Sequence, residues 1–266
     1  MPRTYTYSAL VLRVKPSGES NRDAWILTAE EGVIRATVFG GPKSKLRAHV
    51  APFNRGTLWV YHDPVRDSRK VTDFDVRIWR PGIREGYDRS MAAAAVAETI
   101  LAAHGSGGSW EAALALADAA LDALEGAEEA ACLRIVIHFL WNWAELIGSR
   151  PELDRCASCG KGFAVHNGER PLSGETLWYS KRDGTVLCPS CAGLSVEELP
   201  VLSPEMAADF LPLSPGTRRW LTTVENLNPA LLARFSMDRA SGREAKALVT
   251  AILTEALGKR LSTWDW

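Results

Sequence analysis

Long apolar runs are missing from this chain. The longest is the seven residues Met91 to Ala97, far short of the roughly 18 to 20 that a bilayer span needs, so no membrane helix is predicted. The start, Met1-Pro2-Arg3-Thr4-Tyr5-Thr6-Tyr7, has neither the apolar stretch nor the small-residue cleavage site of a secretory signal, which predicts a cytoplasmic protein. Cysteine is scarce, five in 266 residues. That is too few for a disulfide framework, and paired cysteines in a reducing compartment read first as metal ligands or redox centres. Catalytic signatures are missing too: G-x-G-x-x-G, G-x-S-x-G and H-E-x-x-H do not occur, and the histidines are scattered. Gly40-Gly41-Pro42-Lys43-Ser44 approaches a phosphate loop, but Pro42 stands where that motif requires glycine. His138 and Asn142, four apart on a helix, read as a hydrogen-bonded pair rather than half of an active site. The chain is therefore expected not to be an enzyme. Internal repeats are also absent.

Net charge is nearly absent, −1 from 31 Lys+Arg and 32 Asp+Glu, but this balance hides a strong segregation. Residues 1 to 80 hold 14 basic and 8 acidic side chains, a surplus of +6, whereas residues 81 to 150 hold 4 and 10, a deficit of −6. The first segment is the one whose field would attract a polyanion.

Five short alternating runs occupy that basic segment: Tyr7 to Val14, Ala24 to Thr28, Val33 to Phe39, Thr57 to His62 and Lys70 to Trp79. In the last, Phe74, Val76 and Ile78 fall on one face and Asp73, Asp75 and Arg77 on the other, the period of a half-buried antiparallel strand. Five strands in so short a stretch predict a small barrel, for which the five-stranded OB-fold is the favoured solution and an SH3-like barrel the alternative. Beyond Pro81-Gly82 the period becomes helical, with helices predicted over 88–104, 110–124 and 128–147, the third apolar almost all round and hence central. Helices resume after Pro200. In the last of them Ala245, Leu248, Val249, Ile252, Ala256 and Leu257 share a face, and Ser241 with Glu244 reads as a capping box. The predicted organisation is α+β and multidomain: an OB-fold β-barrel over 1–80, a helical domain over 81–151 and 201–266, and a cysteine-bearing insertion over 152–200.

Cys156-Ala-Ser-Cys159 and Cys188-Pro-Ser-Cys191 are two C-x2-C knuckles. Zn(II) takes four thiolates at the corners of a tetrahedron, and each knuckle presents two of them. Between the knuckles, Leu177 to Ser180 and Thr185 to Leu187 flank Lys181-Arg182-Asp183-Gly184, a predicted hairpin leading into the second pair as in zinc ribbons. Four protein thiolates leave no coordination position open for water, so one structural Zn(II) is expected. Cys132, alone within the third helix, is read as a packed core thiol.

Basic residues cluster in the barrel segment and aromatic residues interleave with them. Lys43, Lys45 and Arg47 lie on the long loop after the third strand, and Arg13, Arg22, Arg35 and Arg55 lie on or beside strands, with Lys15. Trp25, Phe39, Phe53, Trp59 and Tyr61 would offer stacking faces to unpaired bases while the cations neutralise phosphate, the combination that single-strand binding uses.

Ala9-Leu-Val-Leu-Arg13, Gly18-Glu19-Ser20-Asn21, Leu27-Thr28-Ala-Glu-Glu-Gly32, Gly40-Gly-Pro-Lys43-Ser44 and Ala51-Pro52-Phe53 resemble the first domain of the bacterial RecO family of recombination mediators, with Asn21 where Asp is expected. Gly184-Thr-Val-Leu-Cys188-Pro-Ser-Cys191 resembles its zinc module, and Glu255-Ala-Leu-Gly258-Lys259-Arg260-Leu-Ser262 its C-terminal helix. The resemblance implies a non-enzymatic, nucleoid-associated DNA repair protein. It would bind single- and double-stranded DNA, anneal complementary strands, associate with RecR, and contact the tail of single-strand-binding protein to help load RecA. An acidic tail with an apolar end calls for a hydrophobic pocket joined to cations, and Arg134, with Arg218 and Arg219 beside Trp220, are the candidates. The alternatives are a zinc-ribbon RNA-binding factor in translation or RNA processing and a nucleotide-using enzyme with a zinc-stapled lid, which the missing phosphate loop disfavours.

Overall fold

The computed structural model describes residues 3–41, 44–103, 109–163, 174–194 and 209–265. The chain divides into two compact units, residues 1–136 with 265–266, and residues 137–264. This division falls inside a helix, and it places the first helices with the barrel.

In the first unit, β1 (Thr4–Ser17), β2 (Asn21–Thr28), β3 (Gly32–Val38), β4 (Arg55–Asp63) and β5 (Ser68–Ile78) close a barrel in the order β1-β2-β3-β5-β4, the OB-fold predicted from the alternating runs. Its interior is filled by the inward residues of each strand, among them Ala9, Val11, Ala24, Ile26, Ile34, Leu58, Val60 and Phe74. A short helix, α1 (Lys45–His49), sits in the long connection between β3 and β4. Gly32 opens β3 at φ 74°, where a side chain would be strained, and its missing Cβ makes room for the Trp110 indole packed against it.

Helices α2 (Gly82–Glu85), α3 (Tyr87–Ala102), α4 (Trp110–Glu125) and the first half of α5 (Glu129–Leu146) complete this unit. Helices α3 and α4 touch β1 and β2, where Leu10 and Leu27 are paired across the strands and fully buried without belonging to the barrel interior. The outer face of the sheet is thus apolar where helices cover it. Four charged side chains seal the same junction. Arg80, 1% exposed, donates from Nε to Asp122 at 2.9 Å, from Nη1 to the carbonyl of Phe53 at 2.8 Å, and from Nη2 to Asp118. Arg55 Nε donates to the other oxygen of Asp118 at 3.2 Å. Two barrel cations therefore neutralise two acids of α4, and part of the segregation between +6 and −6 is an internal ion-pair network.

The second unit contains the rest of α5, a sheet of order β7-β6-β8 built from β6 (Leu177–Ser180), β7 (Thr185–Leu187) and β8 (Phe210–Leu213), and helices α6 (Pro189–Ala192), α7 (Pro215–Val224) and α8 (Arg239–Leu257). The hairpin forms as predicted: Ser180 Oγ donates to Asp183 at 2.7 Å and the Gly184 amide donates to the Ser180 carbonyl at 2.9 Å. The sheet extends past residue 200, because β8 pairs with β6. As the edge strand, β8 tolerates Pro212, which has no amide to donate. Helix α8 starts earlier than the capping box implied. Asp238 is its N-cap, accepting from the amides of Ala240 and Ser241 at 2.9 Å each. Glu244 turns instead to α7, accepting from the Ser214 amide at 2.9 Å and from Thr217 Oγ1 at 2.6 Å. Among the described residues, no helix is long and apolar enough to cross a membrane.

Asn142 bonds to His138 through the backbone, its amide donating to the His138 carbonyl at 2.9 Å. The His138 ring is buried, and burial pushes its pKa down against the opposing pull of the Leu227 and Val224 backbone. An unfolded histidine titrates near about 6.5, so on acidification the unfolded chain takes the proton first. Stability conferred by neutral His138 is then complete above that value and lost as pH falls below it. The urea midpoint should drop between about pH 7 and about pH 5, and drop less in His138→Leu. Equal slopes in the two proteins would show that His138 has no part in the acid response.

Candidate nucleic-acid interface and metal centre

The register of β1, β2 and β3 dictates what the uncovered outer face of the barrel displays. Since Ala24 and Ile26 point inward, Asp23 and Trp25 point outward. A register shift between Val11 and Arg13 then brings Arg13 opposite Trp25, and β3 places Arg35 on the other side. One row across the three strands reads Arg13, Trp25, Arg35. The next reads Lys15, Asp23, Thr37.

Cations stand over the aromatic rings on this face. Lys15 Nζ lies 5.9 Å and the Arg35 guanidinium 5.4 Å from the Trp25 ring centroid. Phe39, 45% exposed just past β3, has Lys70 Nζ 4.7 Å from its centroid, because Thr37 of β3 pairs in parallel with Lys70 of β5 where the barrel closes. Asp23 is the one acid within the two rows. Burial would raise its pKa, but hydrogen bonds from Arg35, Thr37 and Ser17 outweigh that and hold its carboxyl below the usual carboxylate range. Ionised Asp23 fixes the Arg35 side chain, which remains 63% exposed. The face as a whole keeps a positive excess: Arg13, Lys15, Arg35 and Lys70 against Asp23.

The remaining barrel candidates are placed differently. Lys43 lies outside the described residues. Lys45 is exposed and Arg47 half-buried on α1, beside which His49 meets the 48%-exposed Trp79 edge-on, with ring centroids 5.6 Å apart. Arg22 stands at the end of β2 opposite Pro16 and Val38. Arg55 is turned into the junction with α4, so its charge is spent on Asp118. Lys70 escaped the sequence reading, because it joins the face only through a parallel contact between distant strands. Its one sequence signal is its place at the start of the fifth alternating run.

The two cysteine knuckles converge. All four sulfurs lie within 4.8 Å of one another, with Cys156 and Cys188 buried and Cys159 and Cys191 exposed. In the first knuckle the Gly160 amide donates to the Cys156 carbonyl at 2.9 Å, a turn that requires the left-handed φ of 71° at Gly160. The second is the start of α6, where the Cys191 amide donates to the Cys188 carbonyl at 3.1 Å. Each turn aims both its sulfurs at one point. Four sulfurs about 2.3 Å from a central ion stand about 3.8 Å apart, and Cys159 and Cys188 are separated by 3.9 Å. The Cys188 amide points at Cys156 Sγ from 3.3 Å. Against burial, the amides of Cys159, Cys188 and Ser158 bring the Cys156 thiol down to about 6. Cys191 is pushed up to about 12, since Ser158 favours its thiolate but Cys188, Cys159 and Cys156 disfavour a further negative charge. A divalent cation resolves that conflict, and these four cysteines can hold a metal ion.

Of the three arginines proposed for an acidic partner, Arg219 is exposed on α7 and Arg134 half-buried on α5. Arg218 is fully buried: its Nη2 donates to the Glu175 carbonyl at 2.8 Å, and its guanidinium lies 5.9 Å from the Phe163 ring centroid. It braces the second unit from within. Trp220 beside it is buried as well.

The comparisons with known proteins cover both units. Residues 1–76 match the family described as Recombination protein O N terminal, and residues 84–265 match Recombination protein O C terminal. The chain is similar to a DNA repair protein RecO of Rubrobacter xylanophilus, 30% identical over 257 residues that cover 96% of this chain and 93% of the relative. A DNA repair protein RecO of Anaeromyxobacter sp. strain K is 28% identical over 96% of this chain and 92% of its own. That of Pelotomaculum thermopropionicum is 25% identical over 98% and 93%.

Proposed function

Since the chain belongs to the RecO family, whose relatives are named DNA repair proteins, we propose that it is a non-enzymatic recombination mediator that binds DNA across the outer face of β1, β2 and β3. The observation that carries this reading is the pair of cation-contacted rings Trp25 and Phe39. Flat π-faces beside Arg35, Lys15 and Lys70 match the alternation of base and phosphate along a single strand. The same cations serve the backbone of a duplex, so binding is nearly independent of sequence. Charge compensation on this face lets two polyanions approach, which supports annealing of complementary strands.

The wider role follows the family: association with RecR, contact with the tail of single-strand-binding protein, and assistance to RecA loading in the cytoplasm at the nucleoid. Arg134 and Arg219 are the cations proposed for the acidic tail, and Arg218 is withdrawn to a structural role by its burial. The cysteine cluster is proposed to hold one structural Zn(II), because its four thiolates leave no site for a reacting water.

Fluorescence anisotropy with a labelled single strand tests the interface. Trp25→Ala should weaken binding by about 1–3 kcal/mol with little change in salt dependence, since it removes stacking. Arg35→Ala with Lys70→Ala should reduce the slope of log K against log salt by about 1.4 on single strands, two contacts at about 0.7 each. Wild-type affinity and slope in both variants would remove this face as the interface. Tighter binding to RNA than to DNA of matched sequence would instead support the RNA-binding alternative.

A further inference from the structure

The second unit carries its own concentration of positive charge, in a cleft of about 510 Å³ beside α8. Arg243, Lys246, Thr250 and Thr254 follow one another at helical spacing along one side of α8. Lys181, from the turn of the zinc-ribbon hairpin, and Arg260, just past the helix, add two cations. The floor between them is Leu211, Ala247 and Ala251, and the described lining has a single acid, Glu255. Residues 239–260 hold five basic and two acidic side chains. One of those acids, Glu244, is already engaged by Ser214 and Thr217. The stretch from Arg243 to Thr254 runs about 16 Å at about 1.5 Å per residue.

We propose that this cleft is a second polyanion site, which takes the phosphate backbone of a DNA strand while the barrel holds another. The proposal rests on the DNA-binding reading above and extends it from one strand to two. Cations strung along a helix match a ligand whose charge repeats. An acidic peptide with one terminal carboxylate would need them gathered at one end. The threonines supply no reading groups, for Thr250 Oγ1 donates to the Lys246 carbonyl at 2.8 Å and Thr254 Oγ1 to the Thr250 carbonyl at 2.6 Å. The cleft therefore offers charge and an apolar floor for sugar or base, and no sequence preference. Two such sites on one chain would let the protein present two strands to each other without a second copy.

The test uses the full-length protein and an oligonucleotide of about 16 nucleotides, the upper end of what one OB barrel covers. Titration to saturation should give two strands bound per wild-type chain. A variant combining Arg243→Glu, Lys246→Glu and Arg260→Glu should give one, with the annealing rate reduced at least tenfold. Because that variant carries three reversals, Arg243→Gln, a single change at an exposed position, serves as the second probe. It should lower the salt slope of the second binding step by about 0.7. One strand per wild-type chain, with unchanged affinity in both variants, would overturn the second site and leave the barrel interface standing. Loss of an acidic peptide's binding in the triple variant, with both strands retained, would also overturn it and reassign the cleft to a protein partner. Absence of DNA binding by any form would count against the DNA-binding reading itself.

Discussion

Freshly purified protein is expected to carry one zinc per chain, and removing it with a strong chelator should unfold the ribbon. The strands that lead into the second knuckle are four and three residues long, too short to persist on backbone bonds alone. A bound zinc would supply what they lack, since structural zinc in small modules contributes about 10–16 kcal/mol of apparent binding free energy that is also folding free energy. Trp178, fully buried in β6, is the natural reporter. Chelation should red-shift tryptophan emission and open the chain around Cys156 and Cys188 to protease. Cys188→Ser should do both without chelator, because Cys188 is a buried member of the cluster and its amide also faces Cys156 Sγ. A metal-free native protein, or an unchanged emission spectrum after complete removal, would show that the four cysteines hold the ribbon by packing alone.

Local patterns in the sequence carried the barrel and the knuckles, because both are written in short-range spacing. Alternation over five runs determines which residues point inward, and barrel closure follows from the number and length of the runs. The hairpin from Leu177 to Leu187 was legible for the same reason: a four-residue turn with glycine last leaves few alternatives. Non-local partners were not legible. Arg55 reads as a DNA-facing cation, and Arg80 as one more charge of the basic segment, until Asp118 and Asp122, one helical turn apart on α4, are placed against them. Strand β8 was missed because Phe-Leu-Pro-Leu is short and contains proline, and only its edge position makes that tolerable. The capping box lost to Asp238 since Glu244 found a stronger demand in the amide of Ser214 and the hydroxyl of Thr217. The +6 surplus of the first 80 residues overstated the charge free to meet a polyanion, because two of those cations are spent on α4.

Arg80→Met should destabilise the first unit by about 3 kcal/mol, the lower end of the about 3–5 expected when one partner of a buried pair is removed. The lower end applies because Asp122 is 55% exposed and stays hydrated without its partner. Asp118, 21% exposed, retains Arg55 at 3.2 Å and is only partly stranded. The further cost falls on Phe53. Its carbonyl loses the Arg80 donor, and its backbone sits at φ 73°, a conformation that non-glycine residues adopt only where the surroundings hold them. By contrast, Arg77→Met should change stability by no more than about 0.5 kcal/mol, since Arg77 is 71% exposed and 4.0 Å from an exposed Asp75. Urea unfolding of both variants gives the comparison. DNA binding separates structural from phosphate-facing cations: the Arg80 variant should keep the wild-type salt slope at temperatures where it is folded, whereas loss of Arg35 and Lys70 should not. A shallower slope in Arg80→Met would mean that this cation reaches phosphate and is not confined to the junction with α4. A stability cost below about 1 kcal/mol would show that the network with Asp118 and Asp122 contributes little more than a surface pair.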